Sequence, residues 1–397
     1  MFRRYAISEI GDIISGATPK TTVPDNFGGE IPWLTPADLS GYTGKYISHG
    51  ARNLTRQGYD SCSTHLMPAG TVLLSSRAPI GYVAISKNEI CTNQGFKSIV
   101  PKTFVNSEFF LYYQLKSLKN TLQNLGSGTT FKELSAKKLA TVQVVIPSLE
   151  EQKSIVSKIE ELFSKLDASV AELQTAKEKL KVYRQAVLKE AFDSVQANSK
   201  RVTIKSVCET IKVGIVIKPT QYYVEQGGVF AFRNANVRRN YIEDKDWAMI
   251  SQEGHQKNLK SQVHIGDVLI ARSGVNLGMA ATVPQKYDGY NAIDVVIAVP
   301  KKEFILSQYL AQYTNSPYGL EIVRKNQHGA AQGHLNVKEY GNLPIFLPNI
   351  PEQYSLLKKI ESRLSVCDNI EQTIDTSLQQ AEALRQSILK QAFEGEM

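Results

Sequence analysis

Apolar residues recur at steps of three and four along two long segments, residues 149–192 and 350–393. Such steps place the apolar side chains along one narrow stripe of an α-helix. A proline precedes each segment, at Pro147 and Pro348, where it is compatible with a helix start. The pattern therefore predicts two long helices, the first about 66 Å long at 1.5 Å per residue. The stripe positions are Ile155, Ile159, Leu162, Leu166, Val170, Leu173 and Leu180 in the first segment and Ile360, Leu364, Cys367, Ile374, Leu378, Ala381, Leu384 and Ile388 in the second.

Two interpretations of these helices are open. Each is an ordinary amphipathic helix that packs on a globular core, or the two pack on each other. A narrow apolar stripe over more than ten turns requires an equally long partner, and the other helix provides one. We therefore expect an intramolecular coiled coil.

The remaining sequence predicts two strand-rich globular parts. Short runs rich in β-branched residues, such as 71–74, 142–146 and 294–299, lie between clusters of Gly, Pro, Asn and Ser. Short helices are expected at 106–118 and 306–313. The small, polar residues 193–200 are expected to form a linker.

The chain also contains an internal repeat. Residues 146–192 align without a gap on 347–393, and 16 of the 47 aligned positions are identical. Farther upstream, 70–74 resembles 266–270. A repeat of this length indicates two copies of one structural unit. We expect a first globular domain at 1–148, a central helix and linker at 149–198, a second globular domain at 199–349 and a C-terminal helix at 350–397.

Composition excludes several classes of protein. Hydrophobic residues make up 42% of the 397 residues and charged residues 21%, which is typical of a folded protein. No apolar run approaches the roughly 18 residues that a membrane span needs. Glu9 lies where a signal peptide would be apolar, and the four cysteines are scattered without a CxxC pair. We therefore expect a cytoplasmic protein without disulfides.

Positive charge is concentrated in the globular parts. The net charge is +8; residues 1–148 carry 15 basic and 9 acidic side chains, whereas residues 149–192 carry eight of each. Basic globular parts on a neutral helix are typical of two nucleic-acid readers on a spacer. A surface excess of this size also occurs without any such partner, so charge alone leaves both interpretations open.

Catalytic motifs are absent from the sequence. It contains no GxxxxGK[ST] phosphate loop, no GxSxG nucleophile motif and no Pro-Pro dipeptide of the kind found in the Asn/Asp-Pro-Pro-Tyr loop of amino-methyltransferases. Cys62 and His65 have the spacing of two metal ligands, but no second pair follows. We therefore expect a protein that has no catalytic site, no metal site and no cofactor of its own.

Glycine-rich loops that follow the predicted strands carry side chains suited to DNA. Arg contacts guanine through two hydrogen bonds, and Asn or Gln contacts adenine in the same way. Turns that need glycine explain the glycines but not the polar residues between them. Arg233, Arg238 and Arg239 are expected to hold phosphates rather than to read bases. The candidate DNA-binding residues are Ser76, Arg77, Asn93, Gln94, Thr129, Thr130, Lys132, Arg233, Arg238, Arg239, Arg272, Ser273, Asn276, Gln327, His328, Gln332 and His334.

The order globular–helix–globular–helix resembles the specificity subunit of type I restriction-modification systems. Four motifs carry the resemblance: Ile-Pro-Ser-Leu-Glu-Glu-Gln at 146–152, its twin Leu-Pro-Asn-Ile-Pro-Glu-Gln at 347–353, the N-terminal segments 13–19 and 28–36, and Val-Ala-Glu-Leu at 170–173. The last is similar to the tetrapeptide whose copy number varies among members of this family.

The resemblance implies an α+β fold: two target-recognition domains joined by two long helices that form an antiparallel coiled coil, as a tandem repeat with a pseudo-two-fold axis. Each domain would read one half of a bipartite DNA sequence, and the helices would set the unread spacer. Two modification subunits would bring S-adenosylmethionine, and restriction subunits would bring ATP and Mg²⁺. Because 212–215 differs from 15–18, the two domains should read different bases. The competing interpretations are a coiled-coil adaptor that binds only proteins and a single-chain DNA-modifying enzyme; the missing catalytic motifs argue against the enzyme.

Overall fold

The computed structural model describes residues 3–77, 79–105, 108–128, 132–325 and 334–394. The chain forms two compact units. Unit 1 consists of residues 1–173 and 376–397, and unit 2 of residues 174–375. Each unit therefore contains one strand-rich part and a segment of each long helix.

Unit 1 contains a five-stranded sheet in the order β2-β9-β6-β7-β4, a three-stranded sheet in the order β5-β3-β8, and the pair β1-β10. Its strands are β1 Arg4–Ala6, β2 Gly11–Ser15, β3 Phe27–Leu34, β4 Tyr46–Ile47, β5 Arg52–Leu54, β6 Val72–Ser76, β7 Ile80–Ser86, β8 Cys91–Thr92, β9 Lys97–Pro101 and β10 Gln143–Val145. Its short helices are α1 Ile7–Ile10, α2 Arg56–Asp60, α3 Glu108–Ser117, α4 Lys119–Leu125 and α5 Ala136–Ala140. The first long helix, α6 Leu149–Gln196, begins in this unit.

Unit 2 repeats this plan with sheets β12-β18-β15-β16 and β14-β13-β17 and the pair β11-β19. Its strands are β11 Lys200–Thr203, β12 Cys208–Val213, β13 Val229–Phe232, β14 Ala248–Ile250, β15 Val268–Ala271, β16 Ala280–Thr282, β17 Asn291–Ala292, β18 Val295–Pro300 and β19 Pro344–Leu347. Its short helices are α7 Gln252–Lys257, α8 Ser307–Asn315, α9 Pro317–Lys325 and α10 Val337–Asn342. The second long helix, α11 Ile350–Glu394, begins here.

The long helices are part of each hydrophobic core. In unit 1, Ile159 and Leu389 belong to the same buried cluster as β6 and α3. In unit 2, Phe192 packs edge to face on Tyr309 and Tyr313, with ring centroids 5.4 and 5.1 Å apart. The core of each strand-rich part is therefore completed by helical side chains.

The two helix starts are built alike. Ser148 donates to Glu151 Oε2 from its N–H (2.9 Å) and its hydroxyl (2.7 Å), which holds the pKa of Glu151 below its usual value. Asn349 and Glu352 form the equivalent capping box. The next residue, Gln152 or Gln353, is buried, and its amide donates to the carbonyl of the preceding proline and to that of Phe104 or Phe304. The Pro-x-x-x-Glu-Gln motif thus fixes each helix start to its own unit.

The structure is mixed helix and strand with two long helices, as expected, and it differs from the sequence-based expectations in the linker and in the apolar stripe. The expected linker 193–200 is shorter, because α6 continues to Gln196 and β11 begins at Lys200. Leu384 was expected in the apolar stripe, but its side chain is 52% exposed. The neighbouring Ile388 and Leu389 take the buried positions at this end of α11.

Candidate nucleic-acid interface

In unit 2, the candidate loops meet around one carboxylate, that of Asp294. This residue lies between β17 and β18, and its backbone has a left-handed φ of 54°. Its oxygens lie 3.3 Å from Arg272 Nη1, 3.4 Å from Ser273 Oγ and 3.8 Å from His334 Nε2. Three of the candidate residues are therefore brought together by a residue that the sequence analysis did not select.

A second polar residue, Asn234, ties these loops to the end of β13. Its side-chain oxygen accepts from the Arg272 N–H (2.7 Å), and its amide donates to Ser273 Oγ (2.9 Å) and Asp294 Oδ2 (3.3 Å). Its carbonyl accepts from Asn276 Nδ2 (2.9 Å). One asparagine thus fixes the backbone and the side chains of the loop after β15.

Arg238 and Asn276 extend this network. Arg238 Nη1 donates to Asn276 Oδ1 (2.6 Å), and Arg238 Nε lies 3.6 Å from Glu243. Asn276 is only 4% exposed, and both its amide nitrogen and its oxygen are already engaged. In this conformation the Asn276 amide orients Arg238 and is not free to hydrogen-bond to a ligand.

Arg233 and Asp294 line an open cleft of about 580 Å³ together with Asn234, Ala235, Asp246 and Ile293. Arg233 donates from Nη2 to the carbonyl of Asp246. Arg239 is exposed on the same loop as Arg238. The cleft therefore combines one basic side chain, Arg233, with two acidic ones, Asp246 and Asp294, beside the network.

In unit 1, the corresponding loops carry a different chemistry. Asn93 Oδ1 accepts from the N–H of Gly95 (2.8 Å), which holds its own loop in shape. Gln94 is exposed, and its oxygen accepts from the Thr18 hydroxyl. That contact fixes the orientation of the Gln94 amide. The amide nitrogen of Gln94 is therefore the donor that can hydrogen-bond to a ligand. Lys132 is exposed, whereas Ser76 is fully buried.

Backbone hydrogen bonds establish which residues of the two units are equivalent. The Leu134 N–H donates to the Ser76 carbonyl (2.8 Å), and the Leu335 N–H donates to the Arg272 carbonyl (2.9 Å). Ser76 is therefore the counterpart of Arg272, and Arg77 that of Ser273. Counting forward from the parallel bridges Leu34–Thr92 and Phe232–Ala292 aligns Gln94 with Asp294. Counting back from the bridges Ser75–Phe96 and Ala271–Val295 aligns Gly95 with Asp294, so this turn is one residue longer in unit 1.

The same comparison corrects the alignment of segments 15–18 and 212–215. The N–H groups of Ala17 and Ile215 donate to the carbonyls of Thr92 and Ala292. Gly16 therefore corresponds to Gly214, one residue away from the alignment read from the sequence. A Cβ atom at either glycine would overlap that carbonyl, which explains why both copies have glycine there.

Five candidate residues lie outside the described part of the chain: Thr129, Thr130, Gln327, His328 and Gln332. Three residues that matter to the geometry were missed: Thr18, Asn234 and Asp294. Arg272 was selected as a polar residue after a buried strand, and Asn234 is the second residue after β13, next to the candidate Arg233. It was overlooked because the sequence alone did not show that β13 and β15 end at the same place.

The described residues contain no group of three or more His, Cys, Asp or Glu side chains that could hold a metal ion. No helix in that same part of the chain is both long enough and apolar enough to span a bilayer.

Residues 2–178 match the family model of the type I restriction modification DNA specificity domain. The MjaIX specificity subunit of Methanocaldococcus jannaschii is 46% identical over 152 residues, which are 38% of this chain and 35% of that protein. The EcoBI specificity subunit of Escherichia coli is 24% identical over an alignment that covers 99% of this chain and 86% of that protein.

The fold is similar to that of a solved chain from a study of the assembly and conformational transition of the type I R-M system. The two superpose with a TM-score of 0.71 at 20% identity, covering 100% of this chain and 98% of the other. The same order of strand-rich parts and long helices therefore extends over both chains. We conclude that the first part of this chain matches the DNA specificity domain of type I restriction-modification systems, and that nearly the whole chain is similar in sequence to a specificity subunit of a type I restriction enzyme.

Proposed function

We propose that the chain reads an asymmetric, bipartite DNA sequence, with one strand-rich domain for each half-site. One observation carries this proposal: the two units repeat one strand plan and place different side chains at equivalent strand ends. Ser76 and Arg77 in unit 1 correspond to Arg272 and Ser273 in unit 2, and the turn that carries Asp294 in unit 2 carries Gln94 in unit 1. A shared scaffold supports the same docking on DNA, and different hydrogen-bonding groups select different bases.

In this proposal the two long helices pair antiparallel and set the unread spacer between the half-sites. In unit 2, Lys177 pairs with Asp375, Arg184 with Asp368 and Glu190 with Arg363, so the partner number falls as the α6 number rises. In unit 1, Arg385 pairs with Asp167. Arg184 and Arg385 are equivalent in the repeat, as are Asp167 and Asp368. The pairs are thus reciprocal, as a pseudo-two-fold arrangement requires.

The helices are also the proposed docking surface for two modification subunits. In unit 2, α6 and α11 line a groove of about 480 Å³ that includes Val187, Leu356 and Ile360. Val182 and Tyr354 remain exposed on the same helical segments. Some helix positions are identical in both copies because they cap the helices or form ion pairs within the chain. Only the exposed apolar positions therefore support the proposal that the helices bind a partner protein.

The proposal assigns the chemistry to the partners. The modification subunits bring S-adenosylmethionine, and restriction subunits bring ATP and Mg²⁺. The four cysteines of this chain are unpaired thiols, which agrees with a reducing cytoplasm as the place of assembly.

A DNA titration separates this function from that of a protein-binding adaptor. Full-length chain in complex with its modification subunit is titrated with duplex DNA at two salt concentrations. Because phosphate contacts release counterions, we expect affinity to fall by a factor of roughly 10³ or more between 50 and 200 mM salt. Absence of DNA binding at low salt would favour the adaptor.

A further inference from the structure

Arg272, the counterpart of the buried Ser76, does not extend freely into solvent. Its side chain is 13% exposed, and its Nη1 lies 3.3 Å from the Asp294 carboxylate. Its Nε is buried and has no hydrogen-bond partner among the described residues. Among the described residues, the guanidinium therefore has one ion-pair partner, the Asp294 carboxylate.

Asp294 is itself held in an unusual conformation. A non-glycine residue at a φ of 54° is uncommon, and such backbone strain persists only where the surroundings enforce it. Here the Asn234 amide and the Ser273 hydroxyl both hydrogen-bond to the Asp294 carboxylate. The carboxylate thus has a fixed position at the rim of the cleft, with its side chain 35% exposed.

We propose that Asp294 is a positioning residue, which selects the base at one position of the second half-site by fixing the Arg272 guanidinium. This inference rests on the proposed function. An unrestrained arginine loses rotamer entropy when it is fixed on a base. A carboxylate that orients one edge of the guanidinium reduces that loss and leaves the other N–H groups for the O6 and N7 acceptors of a guanine.

In unit 1, a different contact orients a hydrogen-bonding side chain in the corresponding turn. Gln94 lies in the turn that corresponds to the one carrying Asp294, and its amide oxygen accepts from the Thr18 hydroxyl rather than from an arginine. The position two residues after the parallel bridge therefore orients a hydrogen-bonding group in both units. Loss of Asp294 should affect only the half-site that unit 2 reads.

A double-mutant cycle tests the proposal in the full complex with the modification subunits. Asp294→Ala, Arg272→Ala and the double variant are titrated with the target duplex and with duplexes that carry single base-pair changes in either half-site. We expect each single variant to lower discrimination about 10-fold or more at the same position of the second half-site. The double variant should lose no more than Arg272→Ala alone, because Asp294 acts through Arg272.

Two further variants make the result specific. Asp294→Asn retains one oxygen acceptor, so it should discriminate better than Asp294→Ala. It also replaces Asp294→Ala in the cycle if the alanine variant folds poorly. Asp244→Asn alters an exposed ion pair with Lys286 in the same unit and should leave discrimination unchanged.

Discrimination at the first half-site in each sample reports that the complex is intact. A loss of affinity for all duplexes alike, or a further loss of discrimination in the Arg272→Ala background, would overturn the role of Asp294. A wild-type complex that discriminated at neither half-site would instead refute the proposed function on which this inference rests.

Discussion

Arg77 offers the clearest single-residue test in the first domain. It directly follows β6, and its backbone bridges that of Glu133. If it contacts a guanine, Arg77→Ala should lower affinity by about 1–3 kcal/mol and relax one position of the first half-site. Competition binding with single-base variants of the duplex measures this. Lys102→Ala, at the opposite end of β9, is the matched control. An equal loss on every sequence would assign Arg77 to the phosphates instead.

The buried thiols should be chemically inert. Burial raises the pKa of Cys91 and of Cys208 to about 12, whereas Cys62 is only partly buried. Since the thiolate is the reactive form, only about one in 10⁴ of either buried thiol is ionised at pH 8. Brief alkylation of the folded protein followed by peptide mass spectrometry should label Cys62 first, and Cys62→Ser should remove that early label. Rapid labelling of Cys91 or Cys208 would contradict the packing.

At the scale of the residue, the sequence predicted which loops carry the candidate side chains more reliably than it predicted which residues those side chains contact. It placed Arg77, Arg272, Ser273 and Asn276 after strands, which the structure confirms. It treated Arg77 and Arg272 as alike, whereas the backbone hydrogen bonds pair Arg272 with Ser76. The alignment of 70–74 with 266–270 already makes that pair, so the choice of candidates left out information that the sequence contains. Asp294 was missed because its partners lie up to 60 residues away, and contacts between distant segments are not visible in the sequence pattern.

At the scale of the element, the long helices should be inseparable from the cores that they complete. Phe192→Ala removes a fully buried ring that packs on Tyr309 and Tyr313, so we expect a loss of about 3–5 kcal/mol in the stability of unit 2. Urea unfolding followed by circular dichroism measures the change. Val182→Ala on the same helix, at a side chain that is 71% exposed, should change stability by no more than about 0.5 kcal/mol. Equal effects of the two substitutions would contradict this packing.

The helices were predictable as elements because their apolar spacing is regular and extends over many turns. What covers each apolar residue was not predictable. Ile388 was assigned to the helix–helix stripe, and its buried cluster in unit 1 contains Ile159 of α6 together with side chains of β6 and α3. Hydrophobic periodicity specifies which face of a helix is buried and carries no information about the partner. The end of α6 was missed because the polar residues 193–196 are compatible with either a last turn or a linker.

At the scale of the whole molecule, helix length should determine the spacer. One added heptad lengthens a helix by about 10 Å, which is roughly three base-pair steps. A heptad inserted near Val170–Leu173, with a matching insertion in α11, should therefore change the unread spacer and leave both half-sites unaltered. Sequencing the methylated sites of a host that carries the variant and its modification subunit checks this. An altered half-site at unchanged spacing would count against a ruler function.

The central claim is that each domain reads its own half-site, and a domain exchange tests it most directly. Residues 1–148 are replaced by the equivalent part of a relative, chosen so that the donor surface facing Val156, Ile159 and Phe163 stays apolar, because these helical residues complete the first core. The hybrid is expressed with its modification subunit, and the methylated sequences of the host are determined. We expect a new first half-site joined to the original second half-site at the original spacing. A hybrid that methylates sites changed in both halves would contradict the account.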